Sequence, residues 1–370
     1  MSTRSKFVVY IVLLAGAAMF VMPFAWMVLT ALKPIDQTLS QPHAWLPRRF
    51  EAAIGGRREE IRPGALVTDP SLWILASGAK RPAAVPISSV WGGAWHPATG
   101  APVEVSVLKT VPASEAHPWR EISDLAATRD DVVPVTEIRS WVSFRWENFP
   151  RAVQSMRHFS RYLANTLLLC ILNVVGTVLS SAMVAYGFSR LEWRGREVLF
   201  GLLVATMMIP FPVVMVPLYS LFRSLGMVGT LKPLWVGSFF ANAFNVFLLR
   251  QFFRTIPKDL SEAARIDGCG EFRIFWQIIL PLCTPALVVV GLFTFLGAWN
   301  DYLGPLIYLT DEKDFTLALG LDAMKSSESG ATEWPYLMAA STLVILPVIA
   351  LFFVAQRKFV EGIAMTGIKG

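Results

Sequence analysis

The chain contains no Gly-Lys dipeptide and therefore no phosphate-binding P-loop, whose lysine must directly follow the glycine-rich turn. The sequence therefore argues that any P-loop ATPase serving it lies on another polypeptide. Histidine and cysteine are scarce. His43, His96, His117 and His158 are scattered, and Cys170, Cys269 and Cys283 show neither pairing nor ligand spacing. No metal site, disulfide framework or catalytic constellation is expected from them. Charge is also low: 16% of residues are Asp, Glu, Lys or Arg and 54% are hydrophobic, whereas soluble domains carry about 25% charge. This composition excludes an ordinary soluble enzyme and indicates a multi-spanning membrane protein.

Crossing the hydrocarbon core takes roughly 20 helical residues. Uncharged runs of that length cover residues 7–32, 162–189, 198–222, 274–300 and 334–356. Residues 233–249 are shorter and reach the length only if the aromatic run through Phe253 continues the helix and Arg250 snorkels. Six spans are predicted. The first follows Arg4 and Lys6 but, at 26 uncharged residues, is too long for a cleaved signal and reads as a retained anchor. Lys and Arg concentrate in alternate short connections, around 190–196, 250–273 and 357–369, while the others hold only Arg223, Lys232, Lys313 and Lys325. This bias predicts that both termini lie in the cytoplasm. It also accounts for the net charge of +6, so no nucleic-acid partner is expected.

Residues 1–33 form the first span and 34–143 an extracytoplasmic segment. Within the latter, about 50–143 change character, with frequent Pro and Gly and short alternating runs such as Val103, Val105 and Val107. A small β-rich insert is expected there, with turns at Arg62-Pro63-Gly64 and Gly92-Gly93. Residues 144–161 carry Phe149, Val153, Met156 and Phe159 at helical spacing, an outer amphipathic helix that could lie on lipid or on protein. The core, 162–370, holds the remaining five spans. Pro210, Pro212 and Pro217 break the third, either to line a pathway or as a packing kink. In the fourth, Asn242 and Asn245 share a helix face and are expected to avoid lipid. Asn300 and Asp301 end the fifth. An acid there marks a pathway, or merely caps the segment holding Gly304 and Pro305.

Residues 258–281 form a charged island between two spans. Asp259 or Ser261 is expected to cap a short helix, Leu260, Ala263 and Ala264 to give it a small apolar face, and Gly268 to end it in a left-handed turn. A second amphipathic piece should follow over 271–279. The product is a rigid helix-turn-helix that a soluble partner can grip.

Glu262-Ala263-Ala264, Gly268, Ile278 and Leu280-Pro281 fall at the spacing of the EAA loop of membrane subunits from binding-protein-dependent ABC importers, and the chain resembles that family. The stretch 299–309 and the tail GIKG resemble its carbohydrate group, specifically the second permease of maltose-like and glycerol-3-phosphate-like systems. The resemblance implies an all-α polytopic fold with six transmembrane helices, like a type I importer permease, set in a prokaryotic cytoplasmic membrane. It implies a heterodimer with a homologous permease, two cytoplasmic ATPase subunits that bind ATP and magnesium, and an extracytoplasmic solute-binding protein. It assigns Glu262, Ala263, Ala264, Asp267 and Gly268 to a coupling helix and Gly367, Lys369 and Gly370 to ATPase contacts. Asn242, Asn245, Asn300 and Asp301 remain candidates for the substrate pathway. No cofactor is expected in this chain. The insert of about 90 residues departs from the family's short linker. An ion-coupled secondary transporter would need more buried acids and repeated halves, and a membrane-anchored receptor would leave the charged island unexplained.

Overall fold

The computed structural model describes residues 3–40, 43–54, 57–67, 73–77, 83–86, 90–91, 94–95, 103–104, 106–111, 119–124, 130–134, 138–325 and 333–366. They divide into two compact units, Met1–Arg151 with Glu333–Ala339, and Ala152–Thr332 with Ala340–Gly370.

The first unit begins with α1 (Thr3–Ala31), which ends where Pro34 forbids its continuation, and a short α2 (Ile35–Ser40) follows. Among the described residues, eleven strands then form three antiparallel sheets. The largest has the order β10-β9-β2-β1-β11, with β1 (Arg48–Ile54), β2 (Arg57–Val67), β9 (Trp119–Asp124), β10 (Asp130–Pro134) and β11 (Arg139–Val142). β3 (Trp73–Ser77) lies between β4 (Ala83–Pro86) and β8 (Ser106–Val111), and β5 (Val90–Trp91), β6 (Ala94–Trp95) and β7 (Val103–Glu104) make the third sheet. The expected turn at Arg62-Pro63-Gly64 is instead a register shift inside β2, between Pro63 and Leu66. A bulge absorbs the proline that a regular ladder cannot accept. The Gly92-Gly93 turn lies outside the described residues.

β1 and β11 pair over Arg48↔Val142 to Glu51↔Arg139, so the chain enters and leaves the strand region side by side. Side chains lock this base. The Gln37 amide donates to the Leu46 carbonyl and accepts from the Arg48 N–H, both at 2.8 Å. Arg145 bridges Glu60 at 2.6 Å and Glu147 at 3.2 Å. The buried Asn148 amide donates to the Ala31 and Lys33 carbonyls at 2.7 and 2.9 Å, satisfying the orphan acceptors at the end of α1.

The region read as one amphipathic helix is interrupted: α3 (Asn148–Ser155) is followed by a turn, and α4 starts at Phe159 and runs to Ser189. α5 (Arg196–Thr206) and α6 (Phe211–Ser224) meet at 96°, at the proline break expected from the sequence. The fourth predicted span is not one helix. It comprises α7 (Pro233–Val236), a 3-10 turn (Gly237–Phe240) and α8 (Ala243–Thr255), broken where Ala241 adopts φ +61°. Then come α9 (Lys258–Ile266), α10 (Glu271–Ile274), a π segment (Phe275–Ile279), α11 (Leu280–Leu282) and α12 (Thr284–Trp299). The helix widens just before Pro281, whose ring clashes with the carbonyl four residues back. The α10–α11 piece and α12 meet at 80°. α13 (Leu303–Tyr308), α14 (Leu317–Lys325) and α15 (Trp334–Thr366) complete the fold.

Among the described residues, three helices are long and apolar enough to cross a membrane, or five segments if each bent pair counts as one. Around α4 the second unit builds a core from Ala182, Ala185, Tyr186, Val246, Leu249, Phe253, Ala264, Ile274, Phe275 and Ile279. It joins α4, α8, α9 and the π segment into one block.

Candidate functional site

The charged island projects from that core. α9 starts after Pro257, whose extended backbone (φ −56°, ψ 137°) cannot continue α8. No side chain caps it, contrary to the expectation for Asp259 or Ser261. Asp259 sits inside the first turn, where a carboxylate favours the helix dipole, and Ser261 is buried. The end of α9 is fully specified. Gly268 has φ +79°, the Cys269 N–H donates to the Ala264 carbonyl at 2.9 Å, and the Gly268 N–H donates to Arg265 at 3.0 Å. This pair of bonds is a Schellman motif, and it requires the glycine.

The turn is then pinned to α4. Arg265 Nε donates to Glu271 Oε1 at 2.7 Å, and the buried Tyr186 hydroxyl donates to Glu271 Oε2 at 2.6 Å. The Glu271 carboxylate raises the Arg265 pKa above its ordinary value. Tyr186 also packs its ring on Phe275, 5.2 Å between centroids. Arg190, just after α4, donates to the Phe253 and Ile256 carbonyls at 2.5 and 2.6 Å, closing the end of α8. α9 is thus linked through Glu271 to α4, and the end of α4 through Arg190 to α8.

The expected apolar face of α9 divides. Ala264 is buried with Ser261, while Leu260, Glu262, Ala263 and Asp267 are exposed. Ile266 is 86% and Phe272 71% exposed, so bare apolar side chains flank the acidic ones. Exposed apolar side chains gathered beside acidic ones are the kind of patch that marks interaction sites.

The polar candidates within the bundle separate into two cavities. Asn242 and Asn245 do not share a helix face. Asn242 precedes α8 as its cap and accepts from the Asn245 N–H at 3.2 Å, because the chain breaks at Ala241. Both line a cavity of about 400 Å³ with Thr177, Ser238 and Thr294. Asp301 lines a second, of about 220 Å³, with Asn173, Thr316 and the same Thr294. Asn300 is exposed and folds back on the Leu296 carbonyl at 2.8 Å. Gly367, Lys369 and Gly370 lie outside the described residues.

Sequence reasoning passed over the α4 face that holds the break open. Asn173 donates to the Leu234 carbonyl at 3.1 Å and accepts from the Ser238 hydroxyl. Ser180 accepts from Ala241 N–H at 3.1 Å and Ser181 from Asn242 N–H at 3.2 Å. A Cβ on Gly176 would stand 2.7 Å from the Phe239 ring. The available signal was Asn173, Gly176, Thr177, Ser180 and Ser181, small or polar residues recurring at helical spacing in an apolar span.

Asp301 Oδ1 accepts from the Gly304 N–H at 3.0 Å, which starts α13, and a Cβ at Gly304 would lie 2.5 Å from Oδ2. Gly304→Val is therefore expected to displace the carboxylate. The expected result is a destabilisation of about 1–3 kcal/mol, read as a lower thermal midpoint, with lower uptake. An unchanged midpoint and unchanged uptake would refute the assigned contact.

The family model "Binding-protein-dependent transport system inner membrane component" matches residues 158–364. The probable ABC transporter permease protein YurM of Bacillus subtilis is 36% identical over 229 residues, covering 62% of this chain and 75% of that one. The sn-glycerol-3-phosphate transport system permease protein UgpE of Yersinia enterocolitica is 33% identical over 251 residues, covering 65% and 88%. The arabinooligosaccharides transport system permease protein AraQ of Halalkalibacterium halodurans is 35% identical over 209 residues, covering 56% and 74%. In three dimensions the chain resembles a bacterial ABC transporter involved in the import of the acidic polysaccharide alginate, with TM-score 0.54 and 26% identity, covering 59% of this chain and 81% of that one. With more than half its length matched, the chain belongs to the binding-protein-dependent transport system inner membrane components, the permease subunits of ABC importers.

Proposed function

We propose that this chain is the translocating subunit of an importer for a carbohydrate or polyol-like solute, driven by ATP hydrolysed on a separate subunit. The observation that carries the mechanism is the α9–Gly268 turn, rigid, exposed at its ridge and tied through Glu271 to Tyr186 on α4. Glu262, Ala263, Ala264, Asp267 and Gly268 act as the coupling helix, seated in an ATPase that holds the nucleotide and magnesium. Closure of the two ATPases pushes α9, and the shared core passes the displacement to α4 and α8. The carbohydrate assignment draws on relatives named for arabinooligosaccharide and glycerol-3-phosphate transport. Co-purification and uptake test the whole: a tagged chain that never retains an ATPase subunit overturns the reading.

The remaining architecture follows the same proposal. Six crossings are reached when both bent pairs span and 233–249 cross as a broken segment, with both termini cytoplasmic. Asn242, Asn245 and Asp301 contribute to the pathway through the two cavities that meet at Thr294. Asn300, bonded to its own helix, is the weakest of the four. Gly367, Lys369 and Gly370 reach the ATPases, and a homologous permease completes the heterodimer.

The β-rich insert is assigned to the docking surface for the solute-binding protein. Because Glu51 and Arg139 are cross-strand neighbours, residues 52–138 can be replaced by an Asn-Gly turn without separating α1 from α3. The shortened chain is expected to insert and assemble, and to bind the loaded binding protein roughly tenfold or more weakly, the loss of about 1.4 kcal/mol or more of contact. Unchanged affinity rules the docking role out.

A further inference from the structure

Behind α9 lies a cavity of about 750 Å³, walled by the end of α4, the turn after it, α8 and α9. Its wall carries six cations, Arg190, Arg196, Arg250, Arg254, Lys258 and Arg265, against the carboxylates of Glu192, Glu262 and Glu271. Internal pairing leaves the cavity positive. Glu271 takes Arg265, and Glu197 takes Arg250 and Arg196. Arg190, Arg254 and Lys258 pair with no carboxylate among the described residues.

Two buried polar atoms of the wall have no hydrogen-bond partner among the described residues. Ser261 is 3% exposed and its hydroxyl makes no hydrogen bond. Elsewhere in the chain Thr255 and Thr284 turn their hydroxyls onto carbonyls three residues back, the usual resolution for such a group. Arg190 spends its terminal nitrogen on the Phe253 and Ile256 carbonyls, yet its buried Nε is free. Unsatisfied buried donors beside unpaired cations are stabilised by an anion that accepts several hydrogen bonds at once.

We propose that this cavity binds a phosphate-bearing anion, gripped by Arg254, Lys258, Arg190 Nε and the Ser261 hydroxyl. Phosphate presents acceptor oxygens in several directions, which suits donors converging from α8, α9 and the end of α4; a planar carboxylate reaches fewer of them. The phosphate can be the headgroup of an anionic lipid or a soluble phosphate. Trp193, a lining residue that is 40% exposed, is of the type that collects at membrane interfaces, and basic pockets between membrane helices take lipid headgroups. An occupant touching both Arg190 and Lys258 braces α9 against α4, so binding also raises thermal stability.

The test uses the full-length chain, with the subunits that co-purify, in nanodiscs of phosphatidylcholine with or without phosphatidylglycerol. Native mass spectrometry reads retained lipid, and the thermal midpoint is followed during titration with inorganic phosphate against chloride at matched ionic strength. Preferential retention of phosphatidylglycerol identifies the lipid source; a saturable midpoint rise with phosphate alone identifies the soluble one. The double variant Arg254→Gln, Lys258→Gln is expected to weaken the response roughly tenfold or more, as loss of charged hydrogen bonds does. Ser261→Ala should weaken it as well. The proposal is overturned if wild type responds to neither probe, if the double variant responds equally, or if cross-linking places an acidic side chain of another subunit in the cavity. The site stands on the cavity's own chemistry, so loss of ATPase coupling in other variants leaves it intact.

Discussion

Gly268→Pro is expected to abolish substrate-stimulated ATP hydrolysis and uptake by the assembled importer, while the chain still inserts in the membrane. Proline holds φ near about −65°, whereas Gly268 has φ +79°. Proline also lacks the N–H that Gly268 donates to the Arg265 carbonyl at 3.0 Å. Both defects fall on the turn that sets the direction of α9 relative to Glu271, and so on the Arg265–Glu271–Tyr186 connection. Gly268→Ala separates backbone strain from a lost hydrogen bond, since alanine keeps the N–H and pays only the left-handed penalty, about 1–2 kcal/mol. Its stimulation should fall between wild type and the proline variant. The measurement is ATPase rate with and without loaded binding protein in reconstituted vesicles, alongside membrane yield. Wild-type stimulation in Gly268→Pro would sink the coupling assignment.

The glycine's role was legible because only a residue without Cβ relieves a left-handed turn, and a charged island between apolar runs announces it. The same local logic located the break near Pro210. Periodicity could not reveal the break at Ala241, because residues 233–249 carry no charge and no proline after Pro233. That break is held from outside, by Ser180, Ser181 and Asn173 on α4, a tertiary cause invisible to a local window. The shared-face reading of Asn242 and Asn245 failed for the same reason: it assumed a continuous helix. β1, β2 and β9 were missed because their charges, such as Arg57, Arg58, Glu59 and Glu60 in β2, mask alternation. Burial of Ser261 was also hidden, since a serine early in a helix reads as a cap. Here Pro257 ends the preceding segment, so the helix begins sooner and turns Ser261 inward.

Glu262→Lys is expected to remove ATPase association without disturbing the permease itself. Glu262 is exposed and makes no hydrogen bond or ion pair with another described residue, so the thermal midpoint of the isolated chain should move little, the usual surface effect being within about 0.5 kcal/mol. It stands on the exposed ridge with Leu260, Ala263 and Ile266, the face proposed above to seat in the ATPase. If the partner meets Glu262 with a cation, the reversal replaces an attraction with a like-charge contact at a desolvated interface. Such a contact costs several kcal/mol, roughly a hundredfold or more in affinity. Glu262→Gln, which removes charge without reversing it, should fall between the two. Co-purification yield and stimulated ATPase rate read the effect, and raised salt should narrow the gap between wild type and Glu262→Gln by screening the attraction. A Glu262→Lys chain that retains its ATPase at the wild-type level would show that the acidic ridge is a solvated face. Coupling would then have to pass through the apolar side chains of Ile266 and Phe272, which the charge reversal leaves in place.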